Sequence, residues 1–144
     1  MMTSPAPSNE SPAADQAPHF RRVLLVEDEL ALRKVIARNL TTRGIQVCEA
    51  GTATDAIFMA TTEHPDLLLL DINLPDQTGW EVLRELKRRG TDVQTIVVSA
   101  VRVSQSRLEE FRPLAYLPKP FPIDALLRLV VGERGGRDES IDED

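Results

Sequence analysis

The sequence predicts an α/β fold, a doubly wound (βα)₅ sandwich in which a five-stranded parallel sheet is covered by helices on both faces. Three observations lead there. Five short apolar runs recur along the middle of the 144-residue chain, amphipathic stretches at helical spacing alternate with them, and Gly or Pro marks several junctions. Continuous apolar runs suit strands buried on both faces, and strict alternation with helices requires right-handed crossovers between parallel strands.

The first run is Val23 to Val26. After it, Leu32, Val35, Ile36 and Leu40 recur at helical spacing with Arg33, Lys34 and Arg38 on the opposite side, and Gly44 follows as a C-cap. The second run, Ile45 to Cys48, leads into a helix from about Thr52 to Glu63 that turns Ala56, Ile57 and Ala60 inward and is stopped by Pro65. Leu67 to Leu70 is the third run; the helix after it starts near Gly79 and buries Trp80, Leu83 and Leu86. Ile96 to Val98 is the fourth, followed by a segment from Ser104 to Pro113 in which only Leu108 and Phe111 supply anchors. The fifth run, Tyr116-Leu117, precedes a helix from about Ile123 carrying Leu126, Leu127 and Val130.

The folded unit is therefore expected at residues 21–131. Residues 1–20 contain four Pro, four Ala and three Ser, too little apolar surface to offset chain entropy, and read as a disordered arm. Residues 132–144 hold six acidic and two basic side chains and read as an acidic flexible tail. The net charge of −6 lies in these ends, because residues 21–131 carry 15 basic and 15 acidic groups. A balanced core without a Lys/Arg cluster argues against nucleic-acid binding. The longest apolar run is Ala56 to Ala60, and the N-terminus lacks a basic segment followed by an apolar one; no membrane span or secretory signal is expected, and a cytoplasmic location is. Cys48 is the only cysteine and His19 and His64 the only histidines, too few ligands for a Cys/His zinc site.

In open parallel sheets, ligands gather beyond the C-terminal ends of the strands. The residues found there are Glu27 and Asp28 after the first run, Asp71 after the third, Ser99 after the fourth and Lys119 after the fifth. Three carboxylates cannot crowd together ionised without a cation, and a hard divalent ion with oxygen ligands, Mg²⁺, is the expected partner. Such an ion retains waters that a phosphoryl oxygen can replace, while Lys119 neutralises a second oxygen and Ser99 donates to a third. Each residue alone has an ordinary explanation: Asp71 as a turn residue, Glu27 to Glu29 as charge at a helix start, Ser99 as a cap, Lys119 as a solvated turn lysine, Tyr116 as half-buried core. Their joint occurrence at successive strand ends favours chemistry. Trp80 reads as helix packing, Met59 as core, and Arg88-Arg89 as a solvated helix end.

Val23-Leu-Leu-Val-Glu-Asp-Glu29, Leu67-Leu-Leu-Leu-Asp-Ile-Asn-Leu-Pro75 with Gly79, Val97-Val-Ser-Ala100 and Tyr116-Leu-Pro-Lys-Pro-Phe121 together resemble the response-regulator receiver domains of two-component signalling, of the chemotaxis-receiver kind. The resemblance spans roughly Val23 to Val131. It implies the flavodoxin-like strand order 2-1-3-4-5. It also implies that Asp71 accepts a phosphoryl group from a sensor histidine kinase or histidine phosphotransfer protein, with Ser99 and Lys119 binding the incoming group. Mg²⁺ would be held by Asp28, Asp71 and the main-chain carbonyl of Asn73, with Glu27 acting through water. Ser99 and Tyr116 would convert phosphorylation into a shape change, and the Lys119-Pro120 bond would be cis.

The family further implies slow self-dephosphorylation, influenced by Asn73, and a downstream protein bound through the fourth helix, fifth strand and fifth helix. Homodimerisation on phosphorylation stays open. The chain reads as a single receiver with no output domain after Val131, a signalling domain and not a turnover enzyme. The segment Phe111-Arg-Pro-Leu-Ala-Tyr116 departs from the acidic, Gly-containing loop usual in receivers, which leaves the regularity of the fourth helix open. Two other classes compete. A haloacid-dehalogenase-like phosphatase needs a second Asp where Asn73 stands, and a phosphorylation-independent binding module has no use for the retained acidic residues and lysine.

Overall fold

The computed structural model describes residues 20–132. The expected arm and acidic tail lie outside these residues, apart from Phe20 and Gly132 at their inner ends. Strands β1 (Arg22–Val26), β2 (Gln46–Ala50), β3 (Leu67–Asp71), β4 (Gln94–Ser99) and β5 (Ala115–Pro118) alternate with helices α1 (Leu30–Thr41), α2 (Ala53–Thr62), α3 (Gly79–Arg88), α4 (Gln105–Phe111) and α5 (Ile123–Val131). All strand pairs are parallel, in the order β2-β1-β3-β4-β5.

The period-two alternation of strand side chains divides the core between the two faces of the sheet. Val23, Leu25, Leu67, Leu69 and Ile96 point to one face, where they pack with Ile36, Ala37 and Leu40 of α1 and Leu126, Leu127 and Val130 of α5. Leu24, Val26, Leu68 and Leu70 point to the other, against Ala53, Ala56 and Ala60 of α2 and Val82 and Leu86 of α3. The small alanine face of α2 lets that helix lie close to the sheet. Every residue of β3 is buried, as the central strand of such a sandwich must be.

Helix boundaries follow local chemistry. The side chains of Thr52, Thr78 and Ser104 cap α2, α3 and α4 by accepting from the N–H groups of Asp55, Glu81 and Arg107. Gly44 lies past the end of α1 at φ +85, a left-handed conformation that costs glycine little.

Three expectations are corrected. Val35 is 47% exposed, because the inward stripe of α1 is Ile36, Ala37 and Leu40, with Leu32 at its flank. Phe20, assigned to the arm, packs into the core as part of the α1/α5 layer. Arg33, read as facing solvent, turns back over the strand ends, as described below. The open question about the fourth helix also has an answer: α4 is a regular helix of seven residues, but it buries none of them fully. It rests on α3 through Phe111, whose ring stacks on Trp80 at 5.2 Å between centroids.

Candidate functional site

Register brings the strand-end residues together. Val26 pairs with Leu70 and Asp71 with Val98, so Glu27 and Asp71 emerge side by side; Ser99 pairs with Pro118, and Lys119 follows at once. The main chain locks this edge, with Glu27 N–H donating to Ala50 O at 3.0 Å, Ile72 N–H to Val98 O at 3.0 Å and Lys119 N–H to Ser99 O at 2.8 Å. The Lys119-Pro120 bond is cis.

Glu27 and Asp71 are each 3% exposed and Ser99 2%, so three of the four buried polar or charged side chains among the described residues lie at this one edge. Buried charge is costly unless paired. Lys119 supplies the pairing: its Nζ donates to Glu27 Oε1 at 2.9 Å and Asp71 Oδ2 at 3.0 Å. The other oxygens are also engaged, Glu27 Oε2 accepting from Glu29 N–H and Asp71 Oδ1 from Asn73 N–H, both at 3.0 Å. Burial lifts the Glu27 carboxyl above its ordinary range, against the opposing hydrogen bonds from Glu29 N–H and Lys119. For Lys119, burial works to lower the value, but the hydrogen bonds to Glu27 and Asp71 outweigh it and the ammonium is held above its usual range.

Asp28 is exposed at the mouth. One carboxylate oxygen from each of Glu27, Asp28 and Asp71 lies within 4.8 Å of the other two. Lys119 compensates Glu27 and Asp71 but leaves the trio with excess negative charge, and an all-oxygen donor set of this kind fits a hard divalent cation. Asn73, tied by its N–H to Asp71, stands beside the same carboxylate.

Ser99 and Tyr116 converge on one residue. The Ser99 hydroxyl donates to Val101 O at 2.8 Å and accepts from Val101 N–H at 3.0 Å, while the Tyr116 hydroxyl reaches the same carbonyl at 3.5 Å. In this state Ser99 faces the β4–α4 loop, and Tyr116 is half buried beside Ile72, Trp80 and Val97.

The structure thus gathers Glu27, Asp28, Asp71, Asn73 and Lys119 at one point and sets Ser99, at the end of β4, and Tyr116, in β5, against the adjoining β4–α4 loop. Two residues of the neighbourhood escaped sequence reasoning. Arg33 donates from NH1 to Glu27 O at 2.9 Å and from Nε to Glu49 Oε1 at 3.0 Å, bracing the acidic turn. Asp76 binds the start of α2 from the β3–α3 loop. A helix-surface arginine and a turn aspartate give no sequence signal for such reach; the nearest hint is Gly51, where a Cβ would stand 2.9 Å from the Arg33 guanidinium.

Residues 23–131 match the family model described as the response regulator receiver domain. The chain belongs to the response-regulator receiver family. It is 35% identical over 108 residues to the response regulator MprA of Mycobacterium avium, an alignment covering 74% of this chain and 47% of that protein. The chain thus spans about half the length of the curated relatives it matches. Among solved structures, a CheY-like receiver from Methanospirillum hungatei is 27% identical with a TM-score of 0.69, covering 76% of this chain and 90% of that one. The response regulator TrrA of Thermotoga maritima, solved in complex with Mg²⁺ and BeF, is 28% identical with a TM-score of 0.67, covering 76% and 95%. A receiver domain is a signalling module of phosphorelays, and the five-stranded order found here is the fold its solved relatives share. Among the described residues no helix is long and apolar enough to cross a membrane.

Proposed function

We propose that the receiver domain, residues 21–131, accepts onto Asp71 a phosphoryl group carried by a histidine of a sensor kinase or phosphotransfer protein. The observation that carries this reading is the Asp71 carboxylate, buried at the strand ends with an ammonium at 3.0 Å and two further carboxylates beside it. An Asp71 oxygen attacks phosphorus in line, the new O–P bond forms as the P–N bond breaks, and the imidazole nitrogen leaves with the bonding pair. Asp28, Asp71 and the Asn73 carbonyl, with Glu27 through water, would hold Mg²⁺, which when bound offsets phosphoryl charge as a Lewis acid. Lys119 meets a second phosphoryl oxygen, and Ser99, turning from Val101, donates to a third.

That turn releases the Val101 carbonyl from Ser99 and alters the partner of Tyr116, which is how the site would speak to the surface formed by α4, β5 and α5. A downstream protein reading that surface completes the signal. The acyl phosphate is lost slowly to water, with Asn73 beside the route, so the domain modifies itself and does not turn over a substrate. Work of this kind belongs in the cytoplasm. With acetyl phosphate and Mg²⁺, intact mass should show one added phosphoryl group on the wild type and none on Asp71→Asn. No addition to the wild type from acetyl phosphate or from any histidine kinase tried would defeat the reading.

A further inference from the structure

Residues 72–78 join β3 to α3 and contain Asn73. The loop is closed at its base by Gly79 N–H donating to Ile72 O at 2.7 Å and by an antiparallel bridge between Asn73 and Thr78. Its tip is held from outside. Asp76 Oδ1 accepts from Ala53 N–H at 2.8 Å, and Oδ2 accepts from Thr54 N–H and the Thr54 hydroxyl, both at 3.0 Å. Oδ1 also accepts from Gln77 N–H at 3.1 Å, which ties the carboxylate back to its own loop.

Ala53 and Thr54 are the first two residues of α2, whose N–H groups have no partner within the helix. Thr52 already caps this helix locally by accepting from Asp55 N–H at 3.1 Å. The remaining donors are met by a residue more than twenty positions later, on a different strand-end loop. The Thr52 hydroxyl is taken by Asp55 N–H, so Asp76 meets the other two donors and in doing so joins two loops. Joined as they are, the loop next to Asp71 is braced against a helix that packs on the sheet through Ala53, Ala56 and Ala60.

We propose that Asp76 is a positioning residue of the phospho-acceptor site, bracing the 72–78 loop against α2 so that the main chain at Asn73 is held ready beside Asp71 for a divalent cation. This rests on the function proposed above and adds a residue to it. Groups that orient ligands from outside the coordination sphere lower metal affinity when removed, by about tenfold or more. The opposing view is that Asp76 merely stabilises α2.

Asp76→Ala, Asp76→Asn and Thr52→Ala separate the two, since Thr52→Ala uncaps the same helix and leaves the loop tie intact. Mg²⁺ is titrated into each 144-residue protein and followed by amide chemical shifts, and hydrogen exchange of residues 72–78 is measured without metal. Asp76→Ala should weaken Mg²⁺ by about tenfold and speed exchange in the loop, Asp76→Asn should fall between it and the wild type, and Thr52→Ala should match the wild type in both. Wild-type affinity and protection in Asp76→Ala would overturn the brace, as would equal weakening in Asp76→Ala and Thr52→Ala. Should Asp76→Ala fail to fold, Asp76→Asn carries the comparison. A wild type that binds no Mg²⁺ defeats the phospho-acceptor reading and the brace together, whereas a wild type that binds it and an Asp76→Ala that binds equally well defeat the brace alone.

Discussion

Lys119 is the residue on which the metal-free site balances. One ammonium sits 2.9 and 3.0 Å from two carboxylates that are each 3% exposed, and removing it would leave buried negative charge uncompensated. Lys119→Ala should therefore slow phosphorylation by acetyl phosphate on the order of 10²-fold, the usual cost of losing one charge-stabilising donor; the rate of mass gain checks it. Asp76 gives a pH signature. Hydrogen bonds from Ala53 N–H, followed by those from Thr54, pull its carboxyl down from 3.8 to about 2. A carboxyl depressed in the folded state adds stability above its unfolded value, and that stability is lost as pH falls through the folded value. The stability difference between wild type and Asp76→Asn should thus be level above about pH 5, shrink below the unfolded value near 4, and be largely gone near 2. Urea unfolding across that range measures it, and a difference that persists undiminished at the acid end would contradict the assignment.

At the scale of elements, the strands were legible because runs such as Leu67 to Leu70 are short, apolar without interruption and set between helical patterns, as strands covered on both faces are. Helix existence was legible too, from Gly44, Pro65 and the spacing of Ile36 and Leu40. Side-chain reach was not. Periodicity assigned Arg33 to solvent because a charged residue on a helix usually points there, yet its length carries the guanidinium to the Glu27 carbonyl. Val35 was misassigned because two adjacent apolar residues leave the centre of a stripe undetermined until Ala37 is known to lie inside. Two predictions belong at this level. A Cβ on Gly79 would stand 2.8 Å from the Asp71 carbonyl and 2.9 Å from Ile72 Cδ1, so Gly79→Ala should destabilise the fold by about 1–3 kcal/mol in urea titration. Helix α4 buries no residue fully, and its amides should exchange faster than those of α1, α2, α3 and α5. Phe111→Ala, which removes the stack on Trp80, should speed α4 further while changing the global unfolding midpoint little.

Across the whole molecule, the surroundings of Asp71 are unequal, and phosphorylation there should be felt more on one side than on the other. The face built from α1, α5 and alternate strand residues is a buried apolar layer. Ser99, Val101 and Tyr116 instead form a short polar chain from the site to the least buried helix. Binding at the site shifts an equilibrium only as far as the two states differ in their contacts, and the proposed turn of Ser99 away from Val101 would make that difference local to the β4–α4 side. Beryllofluoride with Mg²⁺ should move amide signals of Val101, Tyr116 and α4 and leave those of Ile36, Leu40 and Leu126 nearly still. Unchanged signals around Tyr116 would remove the proposed route to the surface.

The proposed function turns on a covalent bond to one carboxylate, that of Asp71. After phosphorylation, reduction with borohydride converts an aspartyl phosphate to homoserine, and peptide mass then locates it. The expected result is homoserine at position 71 alone, absent when Mg²⁺ is withheld. Homoserine at another aspartate, or label that survives in Asp71→Asn, would contradict it.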